Sequence, residues 1–137
     1  MGDSSHPANK EREAGQYSFW YGFHAAFVNP YYVSQAKELL GSDGVVGTAI
    51  SFPLGQDTKE TKISASLEAV ENGADELDIC MNVGVFKSGR YEKVLEEMKE
   101  ITGRVKEEKL QTIVKFIIET GFLTDDEIKK AAELVVE

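Results

Sequence analysis

Short apolar runs alternate with longer amphipathic stretches along most of this chain. Four such runs occur, at 23–28, 45–52, 76–82 and 112–120. Runs of this length that are bounded by turn residues predict strands, and strands that alternate with helical patterns are typical of βα units in a parallel sheet. The pattern therefore predicts an α/β fold with about four βα units.

Two of the predicted helices are recognised by different signals. One has residues typical of helix ends, and the other has apolar residues at helical spacing. Asn29 precedes Pro30 directly after the first apolar run, a pair that suits a helix N-cap and first turn, and Gly41 suits its C-terminal end. A further helix is predicted over 89–102, where apolar residues recur at helical spacing.

The other two predicted helices begin at capping boxes. Asp57 and Glu60 have the spacing of such a box, and the helix that follows them ends at Gly73. Thr124 and Glu127 form a second box, and the helix they open continues to the last residue. The fourth βα unit thus includes the end of the chain.

Residues 1–21 differ from the rest of the sequence. They are polar at first and then aromatic, and Gly15 interrupts any helical pattern. We predict no structure for them and place one domain over 22–137.

Composition and charge narrow the class of protein. With 137 residues, of which 42% are hydrophobic and 28% charged, the chain suits one globular domain. A net charge of -9 argues against broad attraction to nucleic acid or anionic membranes, although it leaves room for a local phosphate pocket. Without an apolar run of about 20 residues or a signal-like N-terminus, and with Cys80 as the single cysteine, we expect a cytoplasmic protein.

Two charged residues stand in the middle of predicted strands. Asp78 alternates with the apolar Leu77 and Ile79, and Lys115 alternates with apolar neighbours on the fourth run. Strand-interior charges must be paired, hydrogen-bonded or solvated in a cavity. Asp78 could be catalytic or part of a structural salt bridge, and Lys115 could be its ion-pair partner or an amine nucleophile. The residues alone favour the ion pair slightly.

Other candidate residues carry less chemistry. Cys80 is more typical of a small core residue than of a nucleophile, because neither His6 nor His24 stands in a pairing motif with it. The spacing of the two histidines and the one cysteine along the chain does not indicate a metal site.

Several ordered strings resemble one known family, deoxyribose-phosphate aldolase. The strings are Val28-Asn29-Pro30-Tyr31-Tyr32-Val33, Phe52-Pro53-Leu54-Gly55, Asn72-Gly73-Ala74-Asp75-Glu76-Leu77-Asp78, Lys87-Ser88-Gly89 and Val114-Lys115-Phe116-Ile117-Ile118-Glu119-Thr120. The resemblance extends over nearly the whole of residues 22–137.

The resemblance implies about strands two to five of a TIM (β/α)8-type barrel, and thus a partial barrel. It implies a cytoplasmic, cofactor-free class I lyase of deoxyribonucleotide catabolism, one that cleaves 2-deoxyribose 5-phosphate to glyceraldehyde 3-phosphate and acetaldehyde through a Schiff base. Asp78 matches the family's proton-transferring aspartate, and Lys115 matches a lysine on the following strand.

This sequence also departs from the family pattern. The Schiff-base lysine, which precedes a Thr-Ser pair on the sixth strand, has no match, nor has the second lysine on the seventh strand. Phe27 stands where many members have a cysteine. We therefore expect a truncated chain that is inactive alone. The alternatives are a noncatalytic half-barrel that acts as a homo-oligomerisation or interaction module, and an imine-forming role for Lys115 itself.

Overall fold

The computed structural model describes residues 21–137, so the prediction for 1–21 lies almost entirely outside the described residues. The strands are β1 (Ala26–Phe27), β2 (Val46–Ile50), β3 (Glu76–Cys80) and β4 (Ile113–Ile117). The helices are α1 (Val33–Leu40), α2 (Lys59–Glu71), α3 (Val83–Lys87), α4 (Tyr91–Glu108) and α5 (Asp125–Val136). Short 3-10 turns cover Pro30–Tyr32 and Thr120–Phe122.

The four strands form one parallel sheet in the order β1-β2-β3-β4. This confirms the predicted α/β class and the four βα units. One face of the sheet packs against helices, where Leu77 and Ile79 of β3 are completely buried with Ile101 of α4. A second apolar cluster joins α3, α4 and α5 around Phe86, which is also completely buried.

The predicted helix ends were partly right. The box of Thr124 and Glu127 is present at the start of α5, and Gly41 caps α1 with a φ of 74°. The box predicted at Asp57 was wrong, because Thr58 caps α2 by accepting a hydrogen bond from the Thr61 amide. Asp57 instead accepts a hydrogen bond from the Ser51 hydroxyl at 2.8 Å.

Three other details differ from the prediction. The side chain of Asn29 makes no capping hydrogen bond, and only a 3-10 turn follows it. Helix α3 was not predicted, since five residues are too few to show a helical period. Helix α4 extends to Glu108, six residues beyond the predicted end at Thr102, because Val105 continues its buried face.

Asp75, directly before β3, is the centre of a cluster of charged side chains. Asp75 accepts hydrogen bonds from Lys37 Nζ at 2.8 Å, from Lys109 Nζ at 3.0 Å and from the Val46 amide at 3.0 Å. Burial of this carboxyl opposes its charge, but the three donors outweigh that effect and lower the pKa of Asp75 below 3.8. The amino ends of parallel strands commonly serve stability in barrel folds, and this cluster fits that role.

We expect Asp75→Asn to lower the free energy of unfolding at pH 7 by about 1 kcal/mol, since the donors are partly exposed to solvent. A lowered pKa in the folded state means that the stabilisation is present above the ordinary value of 3.8 and is lost as the pH falls below it. Urea unfolding between pH 2.5 and 7 should therefore show a shallower acid dependence for the variant. Equal acid dependence of both proteins would contradict the assignment.

None of the helices within 21–137 has the length and apolar character that crossing a bilayer requires.

Candidate active site

Asp78 and Lys115 lie side by side on the sheet face opposite the packed helices. They are direct partners in the register between β3 and β4, and Lys115 Nζ lies 2.9 Å from Asp78 Oδ1. The contact is an ion pair without the alignment of a hydrogen bond, and Asp78 Oδ1 is shielded from solvent. The structure thus brings together the two residues that the sequence singled out.

Glu76 joins this pair, although the sequence analysis did not select it. Its side chain is only 5% exposed, and its Oε2 accepts a hydrogen bond from Lys115 Nζ at 2.8 Å. Glu76 Oε1 lies 2.5 Å from His24 Nε2 at the solvent-exposed end of the cluster. The alternation in β3 already placed Glu76 on the face of Asp78, but its partner His24 is 52 residues distant and carries no local signal.

The two carboxylates keep Lys115 charged. Burial of the ammonium opposes its charge, but Glu76 and Asp78 outweigh that effect and raise the pKa of Lys115 above 10.5. Burial likewise opposes ionisation of Glu76, and its hydrogen bonds with Lys115 and His24 lower the pKa of that carboxyl below 4.5. A protonated amine has no lone pair for attack on a carbonyl, so this geometry suits Lys115 as a fixed cation better than as a nucleophile.

Phe27 forms an aromatic wall beside this cation. The Lys115 ammonium lies 4.8 Å from the centre of the Phe27 ring, within the range of a cation–π interaction. The ring lies across Gly47 of the neighbouring strand, where an added Cβ would come within 2.3 Å of a ring carbon. Gly47 therefore provides the space in which the ring of Phe27 reaches Lys115.

Cys80 follows Asp78 by two residues on the same strand and is buried. Burial raises the pKa of its thiol to about 11, and the negative charge of Glu119 adds to the effect. A thiol with this pKa is almost entirely protonated at neutral pH and is a poor nucleophile. The structure agrees with the prediction that Cys80 is a core residue.

Known proteins that are similar to this chain in sequence or structure are named aldolases. No family model matches the chain. Curated deoxyribose-phosphate aldolases from Carboxydothermus hydrogenoformans and Staphylococcus carnosus are 45% and 48% identical to it, each over 118 residues. These matches cover 85% of this chain and 52% of each relative, so the chain spans about half the length of the curated relatives it matches.

Solved structures give the same result. An aldolase named QR15 superposes with a TM-score of 0.84 at 38% identity, over 96% of this chain and 58% of that protein. A tetrameric deoxyribose phosphate aldolase from Aeropyrum pernix superposes with a TM-score of 0.82 at 26% identity, over 96% of this chain and 54% of that one. The four parallel βα units therefore superpose on part of the barrel of these aldolases, and the chain is similar, over most of its own length, to about half the length of deoxyribose-phosphate aldolases.

Proposed function

We propose that this chain is the aspartate-bearing part of a class I aldolase for 2-deoxyribose 5-phosphate. The observation that carries the proposal is the carboxylate of Asp78, held 2.9 Å from the Lys115 ammonium in a chain whose relatives are named deoxyribose-phosphate aldolase. A cytoplasmic location accords with the single reduced cysteine at position 80.

The proposed reaction divides its steps between this chain and another lysine. That lysine forms an imine with the sugar aldehyde and releases water, and the protonated imine accepts the electron pair of the carbon–carbon bond as glyceraldehyde 3-phosphate leaves. Asp78 accepts the hydroxyl proton that this cleavage releases and later helps return a proton to the remaining two-carbon enamine. Hydrolysis of the resulting imine then frees acetaldehyde and the lysine.

The imine-forming lysine is proposed to lie in sequence other than these 137 residues. None of the lysines in the 137-residue sequence precedes a Thr-Ser pair, and Lys115 forms ion pairs with Glu76 and Asp78. Alone, the chain should leave 2-deoxyribose 5-phosphate intact.

A chimera tests the proposal directly. Residues 22–137 replace the matching middle segment of the Carboxydothermus hydrogenoformans relative, whose own segments on both sides are kept, and release of glyceraldehyde 3-phosphate is measured. The intact relative provides the control. We expect cleavage by the chimera and none by the 137-residue chain alone. A folded chimera without activity beside an active control would contradict the proposal.

We also propose that the 137-residue chain by itself forms a homo-oligomer. Strands β1 and β4 each leave one edge unpaired among the described residues, and Ile113 of β4 is 48% exposed. Unpaired strand edges favour association. Light scattering should give a mass above 15.2 kDa, and a monomer at micromolar concentration would contradict the idea. The noncatalytic alternative has no separate support from the described residues.

A further inference from the structure

Lys62 is a buried cation for which the proposed reaction has no use. Its side chain is completely shielded from solvent, and its Nζ donates to the Cys80 carbonyl oxygen and to Glu97 Oε2, both at 3.0 Å. An ammonium in such a place is costly unless a counter-ion and hydrogen bonds compensate it. Here α2 supplies the cation, α4 supplies the carboxylate and β3 supplies the carbonyl.

The carbonyl that Lys62 holds lies at the functional end of the sheet. Cys80 is the last residue of β3, two residues after Asp78, and their side chains share one face of the strand. In barrels of parallel strands, the active site forms at the carboxyl ends of the strands. Lys62 therefore contacts the backbone at the end of the strand that presents Asp78.

The loop after β2 is fitted to the same short stretch of backbone. Gly55 has a φ of +61°, and an added Cβ would lie 2.1 Å from the Met81 carbonyl oxygen and 2.5 Å from that of Cys80. The Val83 amide also donates to the Leu54 carbonyl oxygen at 3.3 Å. The position of the Cys80–Met81 backbone thus determines how this loop sits beside the site.

We propose that Lys62, together with Glu97, is a positioning residue of the candidate active site. Its ammonium fixes the Cys80 carbonyl, and through it the end of β3 that carries Asp78 opposite Lys115. The inference rests on the proposed function only in naming Asp78 as the group that is positioned. The geometry of the hydrogen bonds is independent of the reaction.

Cys80 provides a built-in probe of this strand end, because its thiol is buried and is the single thiol of the chain. In the full chain, Lys62→Met should raise the rate of thiol labelling without denaturant by roughly 10- to 100-fold, the factor for losing a hydrogen bond to a charged group. The Cys80 thiol should become accessible through local opening at the end of β3 rather than through unfolding of the whole chain. The labelling rate should therefore depend little on urea at low concentration. Labelling that follows global unfolding at every urea concentration would overturn the proposal.

A double variant separates positioning from stability. Lys62→Met together with Glu97→Leu replaces the buried ion pair with apolar groups, an exchange that often restores stability. The Cys80 carbonyl still lacks its donor, so we expect unfolding close to wild type but labelling as fast as in the single variant. Labelling that returned to the wild-type rate while stability was restored would show that Lys62 is merely structural.

The ion pair at Asp78 gives a second readout. Burial opposes the charge of Lys115, but Glu76 and Asp78 together raise its pKa above 10.5. Displacement of β3 would weaken these two contacts, so the pKa of Lys115 should fall towards 10.5. Nuclear magnetic resonance of the lysine side chain would measure the change, and an unaltered midpoint in the double variant would count against positioning. Neither readout needs turnover, so failure of this inference is distinguishable from an inactive chimera.

Discussion

Asp78→Asn is expected to lower kcat of the chimera by about 10²- to 10⁴-fold, the range that a positioned proton-transfer group contributes. The amide keeps the size of the carboxylate but cannot accept the proton. It also removes the negative charge 2.9 Å from the Lys115 ammonium. KM should change much less, because the proposed role of Asp78 is in the reaction steps rather than in holding the sugar phosphate.

The matched control is Asp126→Asn. The side chain of Asp126 is 97% exposed on the first turn of α5, and its ion-pair partner is Lys129 of the same helix. Its substitution should leave kcat nearly unchanged, because substitutions at exposed positions usually have little effect on the stability of the fold. If both variants kept the activity of the parent chimera, Asp78 would have no part in the reaction.

Phe86→Ala is expected to lower the free energy of unfolding of the chain by about 3 to 5 kcal/mol, the usual cost of removing a large core aromatic side chain. Phe86 is completely buried in the cluster that joins α3 to α4 and α5, and its ring centre lies 4.9 Å from that of Tyr91. The cavity would remain because three helices surround it.

Urea unfolding measures this change, with Val136→Ala as the control. Val136 is 86% exposed near the end of α5, so its truncation should cost less than about 0.5 kcal/mol. A loss below about 1 kcal/mol for Phe86→Ala would mean that the cluster around α3 does not support the fold.

The order of strands and helices could be predicted because each strand is a distinct apolar run and the longer helices show a helical period. Their ends were harder to predict, since they depend on contacts outside the pattern. Helix α4 was predicted to end at Thr102, yet it continues to Glu108 because Val105 finds a buried place against the sheet. Strand β1, by contrast, is shorter than predicted, because only two residues of the run 23–28 belong to the strand.

The centre of the candidate site followed from alternation along two strands. Asp78 and Lys115 each interrupt an apolar run, and parallel pairing makes them neighbours. The rest depends on tertiary contacts that a sequence pattern does not contain. Nothing in the local sequence shows that His24 reaches Glu76. Nor does it show that Lys62, one of two lysines in the polar start of α2, is completely buried.

Asp78 and the amine that captures the aldehyde are proposed to lie in different segments of sequence. The most direct measurement is to treat the 137-residue chain with acetaldehyde and borohydride and then determine its intact mass. Reduction would convert any imine into a stable secondary amine that retains the two carbons of acetaldehyde. We predict an unmodified mass at concentrations that label a full-length relative, whereas a single adduct mapped to any one lysine of this chain would contradict the proposal.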